Sequence, residues 1–386
     1  VRPPLTALHV VQPGDGGVAR VVTDVVGAHV ARGMRVAVAC PPGTPLADAA
    51  RARGAEVLPW PARREPGPDV LAESRAVTEL VALVRPHLVH AHSAKAGLAA
   101  RLALRGAVPT VYQPHAWSFE AVEGATAALA RRWERWAARW TDRVVCVSEA
   151  ERRRGELAGV RASWTVVHNG VDTGRFGPFP AAPARAAARA ALLPGTPPGA
   201  PVVVCVGRLC RQKGQDLLLS AWNTVHARVP GARLVLVGDG PDAAGLRPGA
   251  HPSVVFAGSV ADPLPWYRAA DLAVLPSRWE GMALAPLEAM ASGRPVLLTD
   301  VDGARESLPP GHAAHCLVPP GDAGALAGAL VRLLLRPILR QSLARQAHQH
   351  VHARFDVQRA GAALADVYRE VAALPRHRPL REPIAQ

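Results

Sequence analysis

Short, unbroken apolar runs separated by helix-length stretches set the pattern of this chain. TALHVV, at residues 6–11, is the first run, followed by a glycine-rich turn and a helical pattern over about 18–32. MRVAVAC, AEVLPW, HLVHAH, PTVYQPH, DRVVCVS and SWTVVHNG continue the series, most of them set apart by an Ala/Arg-rich helical stretch. Strands of this kind are apolar on both faces, and their alternation with helices requires a mostly parallel sheet covered on each side. Residues 176–201 break the pattern with FGPFPAAPARAAARAALLPGTPPGAP, in which proline and glycine flank a short Ala/Arg helix. PVVVCVGRL then opens a second series: the helix DLLLSAWNTVHARV, the strands ARLVLVG, SVVFAG and DLAVLPS, a helix following Met282, and RPVLLTD. Helices over 323–336 and 357–373 complete it, and the tail 375–386 has no periodicity and is expected to be flexible.

The fold class predicted is α/β, as two Rossmann-like parallel-sheet domains facing each other across a cleft at the carboxyl ends of their strands. The boundaries expected are 1–180 for the first domain and 181–355 for the second. Residues 356–386 form a C-terminal helix that crosses back to the first domain, and then the tail. A length of 386 residues suits two domains of ordinary size.

Composition narrows the function classes. Hydrophobic residues at 49% and charged residues at 20% supply a packed core and argue against a largely disordered chain. The net charge of +14 raises a nucleic-acid reading, but the arginines are spread through helical stretches, without zinc-finger spacing or the paired strand aromatics of RNA-binding sheets. An anionic cofactor or a membrane surface accounts for the charge equally well. Five scattered cysteines, three of them in apolar runs, read as buried free thiols. The opening residues carry no export signal, and no apolar run reaches the ~18 residues of a membrane span. A cytoplasmic protein is expected, with peripheral attachment at the inner face of the membrane left open.

Several strand exits carry chemistry. Gly14-Asp15-Gly16-Gly17-Val18-Ala19 fits the dinucleotide pattern with Ala last, but the second strand runs VAVAC into PPG and lacks the expected acid. What survives is that Gly16 and Gly17 let backbone approach a ligand ahead of a helix N-terminus. The strongest constellation is Ser277-Arg278-Trp279-Glu280-Gly281-Met282-Ala283-Leu284-Ala285-Pro286-Leu287-Glu288, directly after DLAVLP. There Gly281 permits a tight turn whose successive N–H groups can form a nest for phosphate oxygens, and Glu288 can accept from a ribose diol. Taken singly, Glu280 and Glu288 read more simply as a solvated loop glutamate and an ordinary helix glutamate. Gly207-Arg208-Leu209-Cys210-Arg211-Gln212-Lys213-Gly214 shifts that balance, because Arg208 and Lys213 can neutralise charge on a departing diphosphate. Lysine is nearly absent otherwise, which singles out Lys213 and Lys95. His115, beside Pro114, is a candidate contact for a reacting sugar.

Other features read as decoys. Asp300 and Asp302 suggest a metal pair without a third ligand, and His348, His350 and His352 do not share one helix face. No metal site is expected. Trp133, Trp136 and Trp140 recur at helical spacing among arginines, which reads first as core packing and otherwise as membrane docking or an acceptor groove.

Taken in order, these motifs resemble family 4 retaining glycosyltransferases of the GT-B fold over essentially the whole length. Glu280 and Glu288, with seven residues between them, carry the likeness most specifically. Gly207, Arg208, Lys213, Gly214, Gly238, Gly240, Gly16, Gly17, His115, Asn169, Gly170, Val171 and Asp172 add to it. The resemblance implies transfer of a sugar, with retained configuration, from a nucleoside diphosphate sugar to an acceptor hydroxyl of a small metabolite or glycan precursor. A UDP-hexose or UDP-N-acetylhexosamine is the expected donor, with no tightly bound cofactor and no required metal. It implies that Glu288 holds the ribose, Glu280 the donor sugar's hydroxyls, and Arg208 and Lys213 the diphosphate. Gly16 and Gly17 approach the phosphate or acceptor, and His115 the reacting face of the sugar. The chain departs from the family pattern at Ala283, where Gly or Ser is common, and at Asp302-Gly303, where two glycines are. An epimerase or phosphorylase of the same fold, or a noncatalytic anion or nucleic-acid binding module, are the competing readings; nucleic acid is not the expected partner.

Overall fold

The computed structural model describes residues 4–64, 67–177, 182–197 and 199–374. Two compact units result, Val1–Asn169 with Val357–Gln386, and Gly170–Asp356. The division falls ahead of the expected boundary at 180, and that residue and the tail lie outside the described residues. The reason is local pairing. Val171 bridges Asp356 in parallel and donates its N–H to Phe355 at 2.8 Å, and Thr173 Oγ1 donates to the Asp356 carboxylate. The entering and leaving segments are thus joined inside the second unit.

The first unit is built on seven strands: β1 (Thr6–Val11), β2 (Arg35–Cys40), β3 (Glu56–Pro59), β4 (Leu88–His92), β5 (Thr110–Gln113), β6 (Arg143–Cys146) and β7 (Trp164–Val166). Their order is β3-β2-β1-β4-β5-β6-β7, with every pair parallel. Alternation along the strands supplies both faces. Leu8, Val10, Ala37, Ala39, Val89 and Ala91 pack with residues of the helices Val70–Val84 and Ser93–Leu104. The opposite face carries Val11, Val36, Val38 and Cys40 against the helices Gly16–Val30 and Pro45–Ala52. That second face also carries His9, His90 and His92, all fully buried. The helix Val357–Ala372 belongs to this unit and packs against Gly16–Val30: a Cβ on Gly361 would lie 2.5 Å from the Ala28 Cβ.

The second unit has β8 (Val202–Val206), β9 (Arg233–Val237), β10 (Val254–Gly258), β11 (Leu272–Leu275), β12 (Val296–Thr299) and β13 (Leu317–Val318), in the order β10-β9-β8-β11-β12-β13. All its strand pairs are parallel. The helix Pro337–Arg354, which sequence reading did not separate, packs on the helix Leu284–Ala291, and its His348 Nδ1 lies 2.8 Å from the Ala291 carbonyl.

Each sheet reverses its strand order once, between β1 and β4 and between β8 and β11. At such a point the following connections leave to opposite sides, which opens a crevice at the strand C-termini. In the second unit that crevice lies between the loops 207–214 and 277–283.

Candidate active site

The crevice of the second unit is held open by glycines rather than by side chains. Gly214 has φ +67°, and a Cβ there would stand 2.1 Å from the Pro276 carbonyl oxygen. A Cβ on Gly238 would meet the Gly207 carbonyl at 2.1 Å, and one on Gly240 the Leu209 carbonyl at 2.3 Å. Gly303, at φ +73°, lies as tightly against the Gly281 carbonyl, at 2.2 Å. The loops after β8, β9, β11 and β12 are therefore in backbone contact, which only glycine permits. Polar bonds pin two of them further. Arg278 donates to both carboxylate oxygens of Asp216 at 2.8 and 2.6 Å, and Gln212 Nε2 donates to the Trp279 carbonyl at 3.0 Å.

Within this frame Glu280 is buried, with Lys213 Nζ at 2.5 Å and Ser277 Oγ at 2.7 Å, both on the same oxygen. Glu288 is also buried, and it accepts from the Tyr267 hydroxyl at 3.0 Å. Neither is the solvated glutamate that each suggests alone. Arg208 is half-buried one residue after Gly207, its carbonyl fixed by Gln215 Nε2 at 3.0 Å. Gly281, Met282 and Ala283 lead into the helix Leu284–Ala291, whose extended N-cap Ala283 makes no side-chain cap; first-turn N–H groups are thereby directed at the loop. Pro286 sits in that first turn, as expected. A concavity lined by Ser277, Glu280, Ala283, Thr299, Asp302 and Gly303 adjoins the pair. Thr299 was not singled out by sequence reading, and Asp302 was read there as half of a decoy metal pair; their place beside Glu280 follows from the β11 and β12 pairing.

In the first unit, Gly16 and Gly17 open the helix Gly16–Val30 that follows β1. Gly16 has φ +74°, and a Cβ on either would meet nothing within 4 Å, so open space borders this backbone. His115 and Ala116 follow β5 with φ +56° and +98°, a conformation that costs a non-glycine residue about 1–3 kcal/mol each. Glu151, fully buried, holds them there. Its carboxylate accepts from the Ala116 N–H at 2.6 Å and from the Val147 N–H at 2.7 Å, and its carbonyl accepts from Trp117 Nε1 at 2.8 Å. Sequence reading missed Glu151, which looks like one more charged residue in EAERRRGEL. His115 Nε2 lies 3.1 Å from His92 Nδ1, and His92 Nε2 lies 3.0 Å from His9 Nδ1. Burial pushes His9 and His115 down to about 3 and holds His92 and His90 well below the usual histidine value.

Comparison with known proteins gives this geometry its context. Residues 15–175 match the model described as Glycosyltransferase Family 4, and residues 200–336 the model described as Glycosyl transferases group 1. A GDP-mannose-dependent α-(1-6)-phosphatidylinositol monomannoside mannosyltransferase of Mycobacterium tuberculosis is 36% identical over 282 residues, covering 68% of this chain and 70% of that protein. The chain belongs to glycosyltransferase family 4. A lipopolysaccharide core biosynthesis mannosyltransferase of Rhizobium leguminosarum bv. viciae is 32% identical over 256 residues, 63% of this glycosyltransferase and 69% of its own length. The crystal structure of Anabaena HepE, solved with UDP and glucose, superposes with a TM-score of 0.80 at 23% identity and covers 95% of this chain and 100% of that one. The fold is GT-B.

Other expected features of the glycosyltransferase take structural roles. Lys95 is buried in an ion pair with Glu73 at 2.7 Å. Asp300 pairs with Arg305, and Asp172 caps the short helix Thr173–Phe176 through Arg175 N–H at 2.9 Å. The His348 and His352 rings lie 4.1 Å apart between centroids, tilted at 46°, while His350 faces Phe355. Trp133, Trp136 and Trp140 pack on one another, with Trp136 41% exposed and Arg139 and Arg105 over the Trp136 and Trp140 rings. Trp140 is buried and Trp133 partly so, as core packing requires, while Trp136 stands at the surface. No helix among the described residues is long and apolar enough to cross a membrane.

Proposed function

We propose that this glycosyltransferase transfers mannose from GDP-mannose, with retention, to a hydroxyl of a glycolipid or glycan precursor. The observation that carries the reading is the ion pair of half-buried Lys213 with buried Glu280, joined by Ser277, at the crevice of the second sheet. Each charge satisfies the other, as the burial of Glu280 demands. A diphosphate entering the crevice competes for Lys213, and Glu280 is then free to accept from sugar hydroxyls. Arg208 adds a fixed fork for the phosphates, and Glu288, oriented by Tyr267, accepts from the ribose diol. Amides of Gly281, Met282, Ala283 and Leu284 position sugar and phosphate. His115 serves the reacting face of the sugar, and the backbone of Gly16 and Gly17 the phosphate or acceptor.

In the reaction the bond from the sugar's anomeric carbon to the phosphate oxygen breaks as the acceptor oxygen bonds to the same face. The departing phosphate oxygen takes the acceptor's proton. Lys213, Arg208 and the oriented amides stabilise the charge on that diphosphate, so no metal is required. Neither Glu280 nor Glu288 is assigned as a base. The UDP donor expected from the resemblance gives way to GDP-mannose because the relative of 36% identity is named for that donor. The acceptor class follows the two relatives' names, a phosphatidylinositol mannoside and a lipopolysaccharide core. A cytoplasmic enzyme touching the membrane through the Trp136 cluster fits such acceptors.

Calorimetric titration with GDP, UDP and dTDP tests the donor site. GDP is expected to bind at about micromolar Kd, and Lys213→Ala, Arg208→Ala and Glu288→Ala each to weaken it by about tenfold or more, with no effect of a chelator. Binding of UDP alone rejects GDP-mannose but keeps the site. No nucleotide binding by folded protein rejects the site, and orthophosphate-dependent turnover without a glycosylated acceptor points to a phosphorylase.

A further inference from the structure

Five histidines, His9, His29, His90, His92 and His115, lie in one layer of the first unit, and three of them form a chain. His9 Nδ1 meets His92 Nε2 at 3.0 Å, and His92 Nδ1 meets His115 Nε2 at 3.1 Å. Strand register produces this: His9 and His90 are partners across β1 and β4, and His92 is paired with Val11 on the same face. His9 and His92 stack with centroids 5.2 Å apart, and His92 and His115 at 5.4 Å. His9 and His92 are fully buried, and burial keeps these rings neutral at physiological pH.

A neutral imidazole has one N–H and one bare nitrogen, so each ring that donates to one neighbour must accept from the other. The chain therefore has only two polarities. In one, His9 Nδ1 donates to His92 Nε2 and His92 Nδ1 donates to His115 Nε2, leaving the His115 proton on Nδ1. In the other, every bond reverses and His9 is left with its proton on Nε2. His9 Nε2 is buried without a hydrogen-bond partner. An orphaned buried N–H is rarer in proteins than an unfilled acceptor, so the first polarity is selected.

We propose that His92, anchored by His9, is a positioning residue that locks His115 in its Nδ1–H tautomer, making His115 a fixed hydrogen-bond donor rather than a base at the end of β5. This is the less favoured tautomer of a free imidazole, so the lock changes what His115 presents. That the oxygen receiving this bond belongs to the donor sugar rests on the proposed function; the tautomer does not. His9, His90 and His92 bring ligand atoms within 4.8 Å of one another. Both nitrogens of His92 are already directed at imidazoles, and the hydrogen-bonded chain accounts for it without an ion.

Protein labelled with nitrogen-15 histidine, read by long-range proton–nitrogen correlation at about pH 7.5, gives the tautomer of His115 directly; the resonance is assigned by its loss in His115→Gln. The Nδ1–H form is expected in the unmodified protein. His92→Leu is expected to shift His115 toward Nε2–H and to lower kcat about tenfold with little change in donor KM. His92→Asn, whose amide stands where Nδ1 did, restores both to within about threefold. An Nε2–H or charged His115 in the unmodified protein, a His92→Leu variant unchanged in tautomer and kcat, or one equivalent of copurifying transition metal each overturns the proposal. If no sugar is transferred from any donor, the proposed function fails and the spectrum of the unmodified protein still decides the tautomer.

Discussion

Glu151 shows how one residue can decide the shape of a site that it does not enter. Its carboxylate is the acceptor for two backbone N–H groups from different loops, Ala116 and Val147, and so holds two consecutive left-handed residues in place. Glu151→Gln keeps the shape but turns one acceptor into a donor facing a buried N–H. We expect a loss of about 2 kcal/mol in unfolding free energy by chemical denaturation. A variant as stable as the original would show that another contact holds the turn. His115 itself was legible in the sequence, as a polar residue at a strand exit. Glu151 was not, because Ala116 lies 35 residues away and backbone N–H groups carry no sequence signature.

At the scale of elements, the crevice of the second unit depends on loops that touch through backbone. Gly214→Ala puts a methyl where the Pro276 carbonyl stands and requires a left-handed alanine besides. The expected result is destabilisation by about 2 kcal/mol or more, seen by thermal unfolding, together with weaker nucleotide binding in the calorimeter. Normal binding would mean that the loops adjust independently. The strands and most helices could be read from apolar runs and their spacing. Pro337–Arg354 could not, since histidine, glutamine and arginine dilute its apolar face, and only Leu343, Ala344, Ala347 and Val351 are buried.

For the molecule as a whole, the histidine layer makes stability depend on pH. A histidine whose native value lies below its unfolded value binds fewer protons when folded, so its contribution is complete above about pH 6.5 and is lost as pH falls toward the native value. His9 at about 3 and His29 at about 4 set that window, and His90 and His92 act in the same direction. Each costs about 1.4 kcal/mol per pH unit within it. The melting temperature is expected to drop steeply from about pH 6.5 down toward pH 4, and His90→Phe to reduce that slope by about one proton. A flat profile would show that the layer hydrates before it ionises. The chain's own pattern determined that there are two parallel-sheet halves, and that polar groups gather at their strand exits, because periodicity and turn residues act locally. Tertiary structure alone decided that Lys213 meets Glu280, that Tyr368 reaches His90 from the helix Val357–Ala372, and that three histidines share one line of protons. Those contacts depend on strand register and on which face a helix covers, and both are settled by the packing of segments far apart in the chain.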